Sequence, residues 1–274
     1  MAAFCWVNGE VKPVNESAIR VTDLGLQRGY AVFDFIRTYN NKLFHFEQHL
    51  KRFHRSAAGL NLEIPVSDDL IFETAGDLLA KSDLKKPAIR LILTGGYADS
   101  ASLYAQPNFI MIAEELPAYD NKIYLEGAML ITIEYQRDLP EIKSTNYVQS
   151  ILLEPLKIEK EAIDILYYFR NQITECPRSS FFIFRDNTLV TPRDLTLDGI
   201  TRKIVLQLVT DLYTVEERTI ALDELQNIDE AFITSTTKGI VPIVRINDIE
   251  IGLGRVGRGT KTIMERFESY TSSY

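Results

Sequence analysis

The first part of the chain alternates short apolar runs with pairs of residues that favour tight turns. Residues 4–7 and 10–14 flank Asn8-Gly9, and residues 32–39 and 42–46 flank Asn40-Asn41. Asparagine and glycine adopt the left-handed backbone conformations that two-residue hairpin loops require. The pattern therefore predicts two β-hairpins near the start of the chain.

Helical spacing of apolar residues follows the second hairpin. In residues 48–60, large apolar side chains recur every three or four positions, as on one face of a helix. Ser67 precedes a second such stretch and is a favourable N-cap. Further helices are predicted over residues 147–160, 200–213 and 256–270. Apolar runs of strand length predict strands at residues 88–93, 109–113, 128–134, 164–169, 181–184, 188–190, 231–235 and 241–246.

A linker is predicted near the middle of the chain, where residues 116–121 combine Pro117 with polar turn formers. The strands and helices on either side do not alternate strictly, so a doubly wound parallel sheet is not predicted. We therefore predict an α+β fold in two domains. The N-terminal domain covers residues 1–116, the linker residues 117–122 and the C-terminal domain residues 123–274.

Composition argues against several classes of protein. Of the 274 residues, 46% are hydrophobic and 25% are charged, so the chain can bury a core. The formal net charge of −8 argues against nucleic-acid binding, which needs a clustered basic surface. No apolar stretch reaches the roughly 18 residues of a membrane helix, and residues 1–15 do not resemble a secretory signal. The chain has only two cysteines, which argues against a disulfide framework. Together, these features lead us to expect a cytoplasmic protein without membrane or nucleic-acid partners.

Two loop residues are candidates for catalysis. Lys143 lies between a predicted strand and a predicted helix, and a lysine sheltered there can react with a carbonyl group. A solvated loop lysine is the alternative. Glu175 lies among apolar residues before a strand, where a carboxylate pairs with a structural cation or with a buried cationic nitrogen. His45 and His49 have the spacing of a helical metal pair, but no third ligand is near, so we expect no metal.

Two further segments suit an anion. Ile200 and Thr201 open the predicted helix over residues 200–213, and free N–H groups at a helix N-terminus bind phosphate well. Thr236 and Thr237 extend a predicted strand with hydroxyl groups that can satisfy phosphate oxygens. An ordinary capped helix and an ordinary turn are the alternatives, so neither segment decides the function by itself.

Taken together and in this order, these segments resemble the class IV aminotransferases, the fold-type IV family of pyridoxal-phosphate enzymes. That family includes branched-chain and D-amino-acid aminotransferases and aminodeoxychorismate lyases. The resemblance covers nearly the whole chain and includes residues 23–30, 32–39 and 49–53. It implies a two-domain fold of the D-amino-acid aminotransferase type, with pyridoxal 5′-phosphate as the cofactor.

The resemblance also implies a role for each candidate residue. Lys143 corresponds to the lysine that forms a Schiff base with the cofactor and carries the proton. Glu175 corresponds to the glutamate that keeps the pyridinium nitrogen protonated, so that the ring can accept electrons. The other expected cofactor contacts are Arg52, Tyr147, Ile200, Thr201, Thr236 and Thr237.

Departures from the family pattern bear on the substrate. Residues 94–99 lack the arginine and histidine that the best-known D-amino-acid aminotransferases use to bind the substrate carboxylate. Branched-chain enzymes favour Phe-Glu-Gly where this chain has Phe33-Asp34-Phe35. The remaining candidates for binding the substrate are Arg90, Arg28, Arg37 and Phe33. Arg90 ranks first among the arginines because it interrupts an otherwise apolar strand.

The resemblance thus predicts a transaminase that exchanges an amino group between an amino acid and 2-oxoglutarate or another 2-oxo acid. D-Amino acids are the favoured donors, because Ser235-Thr236-Thr237 resembles the D-amino-acid group. Branched-chain transamination and aminodeoxychorismate lyase activity are alternatives on the same fold, and a catalytically silent binding protein is an alternative of another class. A homodimer is expected, with Arg28 completing the neighbouring subunit's site.

Overall fold

The computed structural model describes residues 3–98 and 106–274, and the chain divides into two compact units. Unit 1 comprises Met1–Pro117, Ile142–Asn146 and Tyr274, and unit 2 comprises Ala118–Glu141 and Tyr147–Ser273. Each unit combines a β-sheet with helices, so the fold is the predicted α+β class in two domains.

Unit 1 is built on an antiparallel sheet with the strand order β2-β1-β6-β5-β3-β4 among its described residues. Its strands are β1 (Phe4–Val7), β2 (Glu10–Pro13), β3 (Ala31–Tyr39), β4 (Lys42–Leu43), β5 (Pro87–Thr94) and β6 (Phe109–Glu115). Both predicted hairpins are confirmed. Asn8-Gly9 and Asn40-Asn41 have positive φ angles, which these residue types tolerate in tight turns.

The helices of unit 1 are α1 (Leu24–Arg28), α2 (Phe46–Gly59) and α3 (Asp68–Lys81). Helices α2 and α3 pack against the sheet, and their buried side chains, Phe53 and Ile71 among them, share one apolar core with strand residues such as Leu91 and Met111. Helix α1 lies in a stretch for which the sequence predicted no helix. The carboxylate of Asp23 accepts the N–H groups of Gly25 and Leu26 and caps this short helix, which ends at Gly29 with a positive φ.

Unit 2 contains a mixed sheet of ten strands, with the order β12-β11-β10-β14-β15-β7-β8-β9-β13 and with β16 paired to β15. Its strands are β7 (Ala128–Glu134), β8 (Asp164–Phe169), β9 (Gln172–Ile173), β10 (Ser180–Arg185), β11 (Thr188–Thr191), β12 (Thr214–Glu217), β13 (Ile220–Ala221), β14 (Glu230–Ser235), β15 (Gly239–Ile246) and β16 (Ile249–Glu250). All strands predicted in this region are present, and β9, β12, β13 and β16 are additional.

The helices of unit 2 are α4 (Lys122–Leu125), α5 (Val148–Leu152), α6 (Glu154–Glu159), α7 (Ile200–Leu208) and α8 (Arg258–Ser272). The single helix predicted over residues 147–160 is wrong. Two short helices occupy this stretch because Pro155, in the first turn of α6, has no N–H for a continuous helix and blocks the preceding turn. Over residues 3–98 and 106–274, no helix is long and apolar enough to cross a lipid bilayer.

The segment that contains Lys143 belongs to unit 1, although the sequence placed residues 123–274 together in the C-terminal domain. The N–H of Phe33 donates to the carbonyl of Lys143 at 2.9 Å, and the N–H of Thr145 donates to the carbonyl of Ala31 at 3.0 Å. These bonds attach the segment to β3. Backbone pairing between distant segments leaves no signature in local composition, which explains the difference.

Candidate active site

Lys143 is fixed in unit 1 through its backbone. Its N–H donates to Ser56 Oγ on α2 at 3.1 Å, and its carbonyl accepts the N–H of Phe33 on β3. The side chain is half-buried, and Nζ lies 4.4 Å from the centroid of the Phe33 ring. A helix and a strand thus hold the backbone of this lysine, while its amine lies over an aromatic face.

Arg52 lies in a buried cluster between α2 and β3. Its Nε donates to Asp34 Oδ2 at 2.9 Å and its Nη2 donates to Asp34 Oδ1 at 2.7 Å. His49 Nδ1 is 2.7 Å from Asp34 Oδ1. The three side chains are at most 5% exposed. Asp34 therefore fixes the plane of the Arg52 guanidinium, the group expected to bind the cofactor phosphate.

The electrostatics of this cluster follow from its burial. Burial by itself raises the pKa of Asp34, but the charge of Arg52 and the contacts with His49 outweigh it and hold that pKa well below its usual value. Burial lowers the pKa of His49 in spite of the nearby Asp34 carboxylate. The result is an ionised carboxylate that faces a permanently charged guanidinium.

The substrate-binding candidates of unit 1 lie in different surroundings. Arg90 on β5 is paired with Glu114 on β6 through two hydrogen bonds, and its guanidinium lies 5.6 Å from the Phe33 ring centroid. Arg37 on β3 lies 4.0 Å from the ring centroid of Tyr39. Arg28 is exposed in the last turn of α1. Asp99, at the end of the loop compared with D-amino-acid aminotransferases, lies outside the described residues.

Glu175 is a buried carboxylate in unit 2. Its Oε1 accepts a hydrogen bond from Arg137 Nε at 2.8 Å, and its Oε2 accepts one from the backbone N–H of Leu197 at 2.9 Å. Its backbone carbonyl accepts the N–H of Tyr167 on β8 at 2.9 Å. Glu175 thus has the fixed orientation and negative charge that pairing with a protonated ring nitrogen requires.

Helix α7 begins three residues after Leu197, and Ile200 and Thr201 are its first two residues. Its N-cap, Gly199, has an extended backbone and supplies no side-chain cap. A Cβ atom at Gly199 would lie 2.7 Å from Ser180 Oγ, so a larger residue at this position would displace that hydroxyl group on β10. Helix amides without a capping side chain can bind a phosphate, and the phosphate contact of Ile200 and Thr201 stays a prediction.

Three residues with hydroxyl side chains, Ser235, Thr236 and Thr237, lie at the end of β14 in the same unit, and we call them the hydroxyl run. Helix α7 packs against this strand. Ser235 is buried and Thr236 and Thr237 are half-buried. Ser235 Oγ accepts the backbone N–H of Lys238 at 3.1 Å. The side chain of Lys238 is buried in turn, with Nζ 3.0 Å from Asp164 Oδ2.

Lys238 and Asp164 form an ion pair that the sequence did not predict. Ser179 Oγ lies 3.3 Å from both Asp164 Oδ2 and Lys238 Nζ. Burial by itself lowers the pKa of Lys238, but the charge of Asp164 outweighs it, so that pKa is raised. The pair links the hydroxyl run to β8 and to the turn that follows Glu175.

Tyr147 is the residue before the first turn of α5 in unit 2, and the guanidinium of Arg178 lies 5.7 Å from its ring centroid. An aromatic ring flanked by a cation can form a pocket wall. Its contact with the cofactor, expected from the sequence, stays a prediction.

The residues within each unit fit pyridoxal 5′-phosphate. Unit 2 offers an oriented anion for a ring nitrogen together with uncapped helix amides for a phosphate, and unit 1 offers a lysine with a fixed backbone. The sequence analysis missed Arg137, Asp164 and Lys238. The pairing of Arg137 could not be predicted from local sequence, because its partner Glu175 lies 38 residues away along the chain.

A family model described as amino-transferase class IV matches residues 31–246. The chain is 30% identical over 271 residues to a D-alanine aminotransferase of Listeria innocua, which covers 95% of this chain and 93% of the relative. It is 28% identical over 277 residues to a D-alanine aminotransferase of Staphylococcus aureus, with 98% of each chain covered.

Solved structures give a similar result. A T.th. branched-chain amino acid aminotransferase with pyridoxamine 5′-phosphate superposes with a TM-score of 0.91 at 26% identity, covering 100% of this chain and 95% of the other. A branched-chain amino acid aminotransferase of Escherichia coli superposes with a TM-score of 0.91 at 25% identity, covering 100% and 96%.

Proposed function

Because this chain belongs to the class IV aminotransferases, which use pyridoxal 5′-phosphate, we propose that it transfers the amino group of D-amino acids to 2-oxoglutarate or another 2-oxo acid. When bound, the cofactor supplies an aldehyde that accepts the amino group and a ring that stabilises negative charge at the reacting carbon. The chain's own side chains bind, orient and move protons around that ring.

The choice of a D-amino acid rests on the full-length similarity to the D-alanine aminotransferases of Listeria innocua and Staphylococcus aureus. The run Ser235-Thr236-Thr237 supports it, because the same type of segment is typical of D-amino-acid enzymes. Branched-chain amino acids are the second candidate donors, since branched-chain aminotransferase structures at 26% and 25% identity share the whole fold.

Lys143 is the proposed covalent attachment point and proton carrier. Its Nζ would hold the cofactor covalently, and its free amine would move the proton that the donor's α-carbon loses. The bonds of its backbone to Ser56 and Phe33 support this role, because an anchored lysine moves its amine over a small range.

Glu175 is the proposed partner of the ring nitrogen. Its carboxylate holds a proton on that nitrogen and so favours electron flow into the ring. The phosphate would be bound by Arg52, the amides of Ile200 and Thr201, and the hydroxyl run that contains Thr236 and Thr237. Tyr147 would pack beside the ring.

The substrate carboxylate needs a cation in both half-reactions, because both substrates carry this group. We assign Arg90 and Arg28 to it, with Arg37 as a third candidate and Phe33 beside them. Arg28 would act from the neighbouring subunit of a homodimer, and its exposed position on α1 supports that assignment.

Three measurements test the proposal. Borohydride reduction of the loaded protein followed by peptide mapping should label Lys143, and Lys143→Ala should abolish transamination while the protein stays folded. A panel of D- and L-amino acids with 2-oxoglutarate should give the higher kcat/KM for D-amino acids. A label on another lysine would overturn the catalytic assignment. Preference for L-branched-chain donors, or pyruvate release without an acceptor, would replace the proposed substrate by one of the alternatives.

A further inference from the structure

Arg137 contacts two segments of unit 2 at once. Its side chain is 10% exposed, and its Nε donates to Glu175 Oε1 at 2.8 Å. Its Nη2 donates to the carbonyl oxygen of Pro140, three residues before Lys143. A buried guanidinium is costly unless its N–H groups are bonded, so this placement calls for an explanation beyond surface charge.

Both carboxyl oxygens of Glu175 accept hydrogen bonds from donors of unit 2. Arg137 Nε–H donates to one carboxyl oxygen, and the N–H of Leu197 donates to the other. Both groups can only donate hydrogen bonds. The guanidinium is positively charged, so its bond to the carboxyl group is strongest when Glu175 is an anion.

We propose that Arg137 is a positioning residue, which holds Glu175 as an oriented carboxylate for the cofactor's ring nitrogen and fixes the chain at Pro140. The inference rests on the proposed function, since it acts through the role of Glu175. A protonated ring nitrogen needs an anionic acceptor. Without Arg137, Glu175 loses a charged donor from one oxygen and is free to rotate or to take up a proton.

A lysine at position 137 would not replace the arginine fully. The planar guanidinium directs Nε and Nη2 along two fixed directions, one to Glu175 and one to Pro140. A single ammonium can supply charge to the carboxylate but does not reproduce this fixed two-directional geometry. Arg137→Lys should therefore restore part of the function that Arg137→Gln loses.

A double-mutant cycle tests the proposal. The variants are Arg137→Gln, Arg137→Lys, Glu175→Gln and the double variant Arg137→Gln/Glu175→Gln. Arg266→Gln is the matched control, because Arg266 makes a bidentate pair with Asp211 at an exposed position of the same unit. Each protein is assayed for kcat and KM, for the dissociation constant of pyridoxal phosphate from the apoprotein, and for the pH dependence of the bound cofactor's near-visible absorption band.

We expect Arg137→Gln to lower kcat about 10–100-fold, the range found when a group that orients a functional ligand is removed. KM for the amino donor should change little. The absorption band of Arg137→Gln should titrate as that of Glu175→Gln does, and the double variant should be no slower than Glu175→Gln alone. Arg137→Lys should fall between wild type and Arg137→Gln, and Arg266→Gln should match wild type.

Two results would overturn the inference. If the Arg137 and Glu175 effects on kcat multiply, Arg137 does not act through Glu175. If Arg137→Gln matches Arg266→Gln in band titration and cofactor affinity, it has no positioning role. Should Arg137→Gln fail to fold by circular dichroism, the same comparison is made with Arg137→Lys. Absence of transamination in wild type would refute the proposed function instead, while the band and affinity measurements would still decide the role of Arg137.

Discussion

Asp34→Asn is the substitution expected to reveal most about unit 1. It keeps the shape of the side chain but removes the charge that faces Arg52. Asp34 is fully buried and accepts two hydrogen bonds from the Arg52 guanidinium, at 2.9 Å and 2.7 Å. The asparagine amide would also point a hydrogen-bond donor towards a group that can only donate.

The magnitude follows from leaving a buried cation without its counter-charge. Two unit charges about 4 Å apart interact by about 4 kcal/mol at an effective dielectric of about 20. Removing one partner of a buried pair typically costs about 3–5 kcal/mol, because the remaining charge is desolvated and unpaired. We therefore expect Asp34→Asn to lower the free energy of unfolding of unit 1 by about 3–5 kcal/mol.

Urea unfolding followed by tryptophan fluorescence measures this directly, since Trp6 is the single tryptophan of the chain and is buried in the core of unit 1. Asp68→Asn in the same unit is the control. Asp68 pairs with His54 at 2.7 Å but is 58% exposed, so its loss should cost about 1 kcal/mol or less. Equal costs for Asp34→Asn and Asp68→Asn would refute the reasoning.

The contribution of Asp34 to the free energy of unfolding should fall in acid. The folded pKa of Asp34 is held below its unfolded value of about 3.9, so its contribution to stability is complete above that value and is lost as pH falls below about 4. The stability difference between wild type and Asp34→Asn should be constant near neutral pH and should shrink below about pH 4. A difference that grows towards acid would contradict this assignment of charge.

Two further predictions concern other residues. Lys238→Met should lower the free energy of unfolding by about 3–5 kcal/mol, because it leaves the carboxylate of Asp164 buried without a counter-charge. Urea unfolding followed by circular dichroism measures this loss, and adding Asp164→Leu should restore much of it. No recovery in the double variant would mean that packing, not charge, is involved. Arg28→Ala and Lys143→Ala subunits, each inactive alone, should regain part of their activity after mixing, and no recovery despite proven subunit exchange would mean that Arg28 does not act across a dimer.

Local sequence predicted the elements whose determinants are local. Asn8-Gly9 and Asn40-Asn41 predict hairpins because the left-handed conformation they favour is the whole requirement of a two-residue turn. The helix predicted over residues 147–160 is divided at Pro155, a local signal that the prediction did not use. Helix α1 was missed because its stability depends on Asp23, which also accepts bonds from Thr94 and Asn108 far along the chain.

In the candidate site, too, local features could be predicted from the sequence and long-range contacts could not. Helix amides at Ile200 and the hydroxyls of residues 235–237 could be predicted because each is a short contiguous feature. The partners that orient the candidate residues could not. Asp34 reaches Arg52 across 18 residues, and Arg137 reaches Glu175 across 38. Such pairs depend on strand and helix packing, and a single sequence carries no record of that packing.

Arg90 illustrates what strand pattern can and cannot determine. A lone arginine in an apolar strand indicates that something compensates its charge, but the strand pattern does not identify the compensating group. Glu114 supplies the compensating acid from the adjacent strand β6, and the two side chains are 31% and 28% exposed. Nε and Nη2 bond to the two oxygens of Glu114, and the partial exposure of both side chains leaves the guanidinium accessible to a second carboxylate. The pair with Glu114 is therefore compatible with the proposed role of Arg90, because it keeps the guanidinium oriented until a second carboxylate arrives.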